Sequence, residues 1–185
     1  PMNSSAASDV YKRQDDTFLH LVDQFETKGR RVRSIEMYKN LVASYDDNKE
    51  GLKRFTQAYL ACVTAVDENI GQVLDAVDKT KLKENTIVII VSDHGWTMGE
   101  KEHVYKNSLW EESTRVPLII RAPGVSKPDK KVNHPVSLID VYPTLLDLAG
   151  LDFNTKKNET GSSLNGFSLK TFLKNPEKNK WDGPK

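Results

Sequence analysis

The stretch Ile87–Gly124, IVIIVSDHGWTMGEKEHVYKNSLWEESTRVPLIIRAPG, decides how this chain is read. Ile87–Val91 is an unbroken apolar run that passes directly into Ser92, Asp93, His94 and Gly95. A second apolar run, VPLIIRAP, covers Val116–Pro123 and stops at Gly124. Runs of this kind, without polar alternation, predict strands buried on both faces, as in a parallel sheet. In open α/β sheets ligands sit beyond the carboxyl ends of the strands, and Asp93 and His94 hold that position. Gly95 permits a sharp backbone turn that lets both side chains face one cleft. A carboxylate beside an imidazole there suits a metal site or an acid/base pair. The competing reading is structural, with Asp93 capping the next turn and His94 packing.

Upstream, Phe55, Ala58, Tyr59, Cys62, Val63, Val66, Ile70, Val73, Leu74 and Val77 recur at spacings of three and four. They predict a long amphipathic helix from about Lys53 to Asp78. Cys62 lies within that stripe and reads as a small core residue. Downstream, SLIDVYPTLLDLAGL places Leu138, Val141, Leu145, Leu146 and Leu148 on one apolar stripe, with Gly150 as a stop. Pro143 belongs in a first turn, so this helix starts near Asp140. Helix, strand, loop, strand, helix is an α/β pattern. Residues 15–50 carry only a weak helical pattern, and from Asp152 to Lys185 the chain is a polar, loop-rich extension. Its one apolar cluster is Leu164, Phe167, Leu169 and Phe172.

At 185 residues the chain is long enough for a domain with a real core. Apolar residues make up 37%, charged residues 29%, and the net charge is +1. That balance gives no argument for a nucleic acid partner or a charged membrane surface, and no run approaches a membrane span. A single cysteine excludes an internal disulfide framework and a cysteine-rich zinc site. The first fourteen residues, PMNSSAASDVYKRQ, are polar and aperiodic, and VYKRQ is what a common transposase adapter end encodes when translated. Residues 1–14 are therefore expected to be a non-native or disordered tail.

Lys106 lies in a loop rich in charges, where a lone lysine is ordinarily just solvated. Next to a metal it would instead suit an anionic ester oxygen. Lys101 and His103 are read as ordinary loop residues.

The ordered string SDHG…GE…K…TRVPLI…PG, Ser92–Gly124, resembles the second metal-binding segment of the sulfatases, in the alkaline phosphatase superfamily. It is most similar to bacterial iduronate-2-sulfatase-like and choline-sulfatase-like enzymes, and the resemblance runs from about Arg54 to Leu151. It implies part of an alkaline-phosphatase-like sandwich, with a mostly parallel central sheet flanked by helices. Asp93 then matches a carboxylate ligand of a calcium ion, His94 the next ligand position, and Lys106 a lysine on the sulfate group. Thr114–Pro117 matches a segment that fixes the start of the second strand. Calcium prefers oxygen ligands, so the imidazole leaves manganese or zinc open beside it.

Sulfatases use a formylglycine nucleophile made from Cys or Ser in Cys/Ser-x-Pro-Ser/Ala-x-Arg, and no such string occurs in this chain. The family's early aspartate pair, and the lysine and histidines that follow it, are not matched either. The expectation is a C-terminal portion of a sulfatase, residues 15–151 being a partial catalytic domain without its nucleophile and inactive alone. Implied substrates are a sulfated glycan or a small sulfate ester, and the family's habit implies a periplasmic or secreted location. Phosphonate monoester hydrolases and phosphodiesterases of the same superfamily share the Asp-His-Gly segment and the lysine. A non-catalytic remnant that binds sulfate or a glycan is the remaining reading.

Overall fold

The computed structural model describes residues 33–154, 156, 160–178 and 180–184. The expected tail at 1–14 and the first part of the weakly helical segment lie outside the described residues. The described residues form two compact units, each assembled from two stretches of chain.

The first unit combines residues up to Leu74 with His94–Val116. Helix α1, Arg33–Ala43, buries Ser34 and Tyr38. The long helix α2 runs Asn48–Asp78 and starts ahead of the predicted Lys53. The cause is local: the Asp47 carboxylate accepts from the Lys49 amide at 2.9 Å, satisfying one otherwise orphaned N–H of the first turn. The predicted stripe is present on α2 but largely uncovered. Val66 is 56% and Val73 64% exposed, and Cys62 is exposed too, which corrects its reading as a core residue. Helical periodicity shows which side chains share a face; burial needs a second layer against that face. Strands β2, Thr97–Met98, and β3, Val104–Tyr105, form an antiparallel hairpin with Thr97 opposite Tyr105, and Glu111–Thr114 is a single helical turn, α3.

The second unit combines Asp75–Asp93 with the chain from Pro117 onward. Strand β1, Val88–Val91, pairs with β4, Leu118–Arg121, in register Val88↔Arg121 to Val91↔Leu118. The pair is antiparallel, so the parallel neighbours predicted for these strands are not found among the described residues. Neither are the strands buried on both faces, since Val91 is 44% and Ile119 58% exposed. Parallel neighbours need a crossover long enough to cover the sheet, usually a helix. Between these two strands the chain offers only short elements. The architecture is nonetheless α/β.

Helix α4, Val141–Ala149, begins where expected, with Pro143 in its first turn and Gly150 closing it at φ 67°. A 3-10 turn, Leu138–Asp140, leads in through a capping box in which Asp140 Oδ2 accepts from the Ser137 amide at 2.8 Å. The buried face is Pro143, Thr144 and Leu146, while Leu138 and Leu145 of the expected stripe are exposed. Thr144 decides this: its hydroxyl donates to the Asp140 carbonyl at 2.6 Å and accepts from the Leu169 amide at 2.9 Å. Asp140 Oδ1 accepts from the Phe167 amide at 2.8 Å. These bonds dock the apolar cluster that the sequence shows, burying Leu169 and Phe172 beside the short helix α5, Lys170–Lys174. At the rim, Lys170 Nζ lies 2.7 Å from Asp147 Oδ1 and Ser168 Oγ donates to Oδ2 at 2.6 Å. Burial acts to raise the Asp147 carboxyl, but those donors and the charges of Lys170 and Lys174 outweigh it and hold the group below its usual range. No helix among the described residues is long and apolar enough to cross a membrane.

Candidate functional site

Asp93 is the last residue of the second unit's first stretch, two positions past β1, and it is exposed. His94 opens the loop of the first unit. Its imidazole Nδ1 is 2.8 Å from the Gly95 carbonyl and its Nε2 is 2.8 Å from Lys106 Nζ. A carbonyl only accepts, so Nδ1 carries the proton and Nε2 accepts from the lysine ammonium. The structure thus brings together His94 and Lys106, twelve positions apart, as one contact.

Gly95 is needed for a reason other than backbone freedom. Its φ is not in the left-handed region; instead a Cβ there would stand 2.1 Å from the Glu112 carbonyl oxygen. Its amide donates to the Ser113 carbonyl at 2.7 Å. That close approach fixes the backbone next to His94 against α3. The Trp96 ring follows, 6.2 Å from the His94 ring and edge-on to Tyr105 at 4.9 Å.

Lys106 leaves the end of β3, and the route to it is unusually constrained. Tyr105 has φ 107°, a conformation that L residues rarely adopt. The Thr97 hydroxyl, from a side chain 1% exposed, donates to the Tyr105 carbonyl at 2.7 Å. With its one proton used there, Thr97 Oγ1 accepts from Nδ1 of His103 at 3.0 Å. His103 is buried, and burial pushes its imidazole below the ordinary value of 6.5. At the hairpin turn, Gly99 adopts φ 117° and its amide donates to the His103 carbonyl at 2.9 Å. Glu100 accepts from the Met98 amide at 2.5 Å, yet burial keeps its carboxyl above the usual range. Lys101 sits 4.3 Å over the Trp110 ring.

Reading the residues in sequence leaves out Thr97, Tyr105 and the structural part of His103. The signal was present: WTM and HVY are short apolar-rich runs on either side of a Gly-containing turn, a hairpin pattern.

A calcium ion takes about six to eight oxygen ligands. Among the described residues no group of three or more His, Cys, Asp or Glu side chains is gathered to hold a metal ion. Both ring nitrogens of His94 are engaged within the chain. The donors gathered among the described residues therefore do not make a calcium site by themselves.

The sulfatase family profile matches residues 7–151. This chain belongs to the sulfatase family. A sulfatase of Formosa agariphila is 39% identical over 141 residues, covering 71% of this chain and 27% of that protein. Among solved structures, BT4656 in complex with its substrate D-glucosamine-2-N,6-O-disulfate superposes with TM-score 0.65 at 36% identity, covering 75% of this chain and 26% of the other. The phosphonate monoester hydrolase SpPMH from Silicibacter pomeroyi superposes with TM-score 0.65 at 29% identity, covering 76% and 26%. This sulfatase-family chain thus spans about a quarter of the length of the proteins it matches.

Proposed function

We propose that this chain is a portion of a sulfuric ester hydrolase, presenting the cation that receives the sulfate group. The observation that carries the reading is the contact of Lys106 Nζ with His94 Nε2 at 2.8 Å, immediately after the Ser92-Asp93-His94-Gly95 run. A neutral imidazole acceptor orients the ammonium without neutralising its charge. Against a sulfate monoester, an oriented ammonium stabilises negative charge on a non-bridging oxygen as the bond to the alcohol breaks. Asp93 is assigned as this chain's contribution to a divalent-cation site, calcium by family resemblance, and His94 would join it by turning its Nε2 from Lys106 to the cation. The other ligands, the formylglycine nucleophile and the acid that protonates the leaving alcohol would come from elsewhere in the whole protein. Bound there, the cation would neutralise sulfate charge.

The substrate class is a sulfated sugar or a small sulfate ester, supported by the disulfated glucosamine in the BT4656 complex. The location proposed for it is periplasmic or secreted. In the whole protein β1 and β4 would belong to a mostly parallel central sheet, whose layers would cover Val91, Ile119 and the open stripe of α2. Hydrolysis of a phosphonate monoester is the second reading, favoured by the equal TM-score of SpPMH and set below the first by its lower identity.

The test is turnover by the natural gene product that contains this chain, measured on an aryl sulfate and on an aryl phosphonate monoester. The sulfate is expected to be cut faster, Lys106→Ala to lower kcat/KM by roughly a hundredfold or more, and the 185-residue chain alone to show no turnover. A faster phosphonate reaction would move the assignment to the second reading, and full activity in Lys106→Ala would end the role given to the lysine.

A further inference from the structure

We infer that Thr97 and His103 are positioning residues that aim Lys106, a proposal that rests on Lys106 being the anion-binding cation of the reading above. The Tyr105 carbonyl and the Lys106 amide and Cα share one planar unit, so fixing that oxygen fixes the direction in which Lys106 leaves the backbone. The oxygen is fixed by the Thr97 hydroxyl at 2.7 Å. The hydroxyl is in turn oriented by the Nδ1–H of His103 at 3.0 Å, because that donor occupies its lone pair and turns its proton toward the carbonyl.

Two further facts show that the relay has a conformation to hold in place. Tyr105 sits at φ 107°, which costs free energy and persists only where the surroundings over-determine it. And Thr97, His103 and Val104 are all at most 5% exposed, so the device is anchored in the interior of its unit. Beyond it, Lys106 reaches its 2.8 Å contact with His94. An extended Tyr105 would send the next side chain in another direction, since the plane that carries Lys106 would rotate with it.

The experiment is competitive acetylation of the chain with an activated ester, read at Lys106 and at Lys101 by peptide mass spectrometry, with and without inorganic sulfate. Thr97→Val keeps the shape and removes the hydroxyl, while Thr97→Ser restores it. His103→Leu removes the donor, and His103→Asn keeps an N–H near the same place. Lys106 is expected to label about fivefold faster in Thr97→Val and His103→Leu, the change that loss of one ordinary hydrogen bond makes in a local equilibrium. Thr97→Ser and His103→Asn should stay near the parent, and Lys101 should change in none of them. Sulfate should protect Lys106 in the parent and no longer in Thr97→Val. Unchanged Lys106 labelling in both Thr97→Val and His103→Leu would overturn the proposal, as would an equal rise at Lys101, which signals loss of the whole hairpin. Selective loss of Lys106 protection from the ester, with sulfate protecting in no variant, would uphold the positioning role and refute the anion-binding role of the lysine.

Discussion

Replacing Gly95 by alanine is the sharpest perturbation the structure offers. The added methyl would meet the Glu112 carbonyl oxygen at 2.1 Å and the Arg115 carbonyl oxygen at 3.2 Å. Close carbon–oxygen contacts in proteins run at about 3.3 Å or more, so the two backbone segments must separate by roughly an ångström. The opposing atoms are backbone, not the far end of a flexible side chain, and overpacking of that kind costs about 1–3 kcal/mol. Separation also breaks the 2.7 Å bond from the Gly95 amide to the Ser113 carbonyl, worth about 1 kcal/mol. Together these give about 3 kcal/mol, or roughly a hundredfold in the local opening equilibrium. Hydrogen exchange reads this directly, at the Gly95 amide and at the Arg115 amide, which donates to Glu111 at 2.7 Å. Gly71→Ala is the matched control, because a Cβ there meets nothing within 4 Å and alanine favours the helix by up to about 1 kcal/mol. If Gly95→Ala leaves both amides protected within a factor of about two, less than half a kcal/mol, the close approach is not what the position requires.

Two further outcomes follow from the packing. Burial holds the His103 imidazole below 6.5 in the folded hairpin, so as pH falls the unfolded chain takes up its proton first. The contribution is complete above the unfolded value and declines as pH drops from there toward the folded one. Protection of the Gly99 amide should therefore weaken as pH falls below neutral, and His103→Asn should flatten that slope; equal slopes would show that another group is responsible. In the second unit, Thr144→Val leaves the buried Leu169 amide without an acceptor and should cost about 1–3 kcal/mol in denaturant unfolding, with Thr144→Ser close to the parent. A valine variant as stable as the parent would mean that Leu169 is held by packing alone.

Much of this protein was legible in one dimension because the relevant physics is local. Helical period over Phe55–Val77, the first-turn proline at Pro143 and the stop at Gly150 depend on neighbours within one or two turns, and α2 and α4 formed where those signals lie. The SDHG…K…TRVP string carried the family, since its residue types and spacings are a property of order along the chain. What failed was whatever needs a partner from far away. The β1 and β4 runs were recognised as strands, but direction of pairing and coverage depend on which element lies alongside, and here the pair is antiparallel with exposed faces. Cys62 sat on an apolar stripe that, among the described residues, is left open. Only the tertiary structure set the Lys106 ammonium on the His94 imidazole, and only it showed Gly95 as a point of close approach and Thr97 as the hydroxyl on the Tyr105 carbonyl. Those are distances between residues up to about twenty positions apart, set by chain folding in three dimensions, and composition and period carry no information about them.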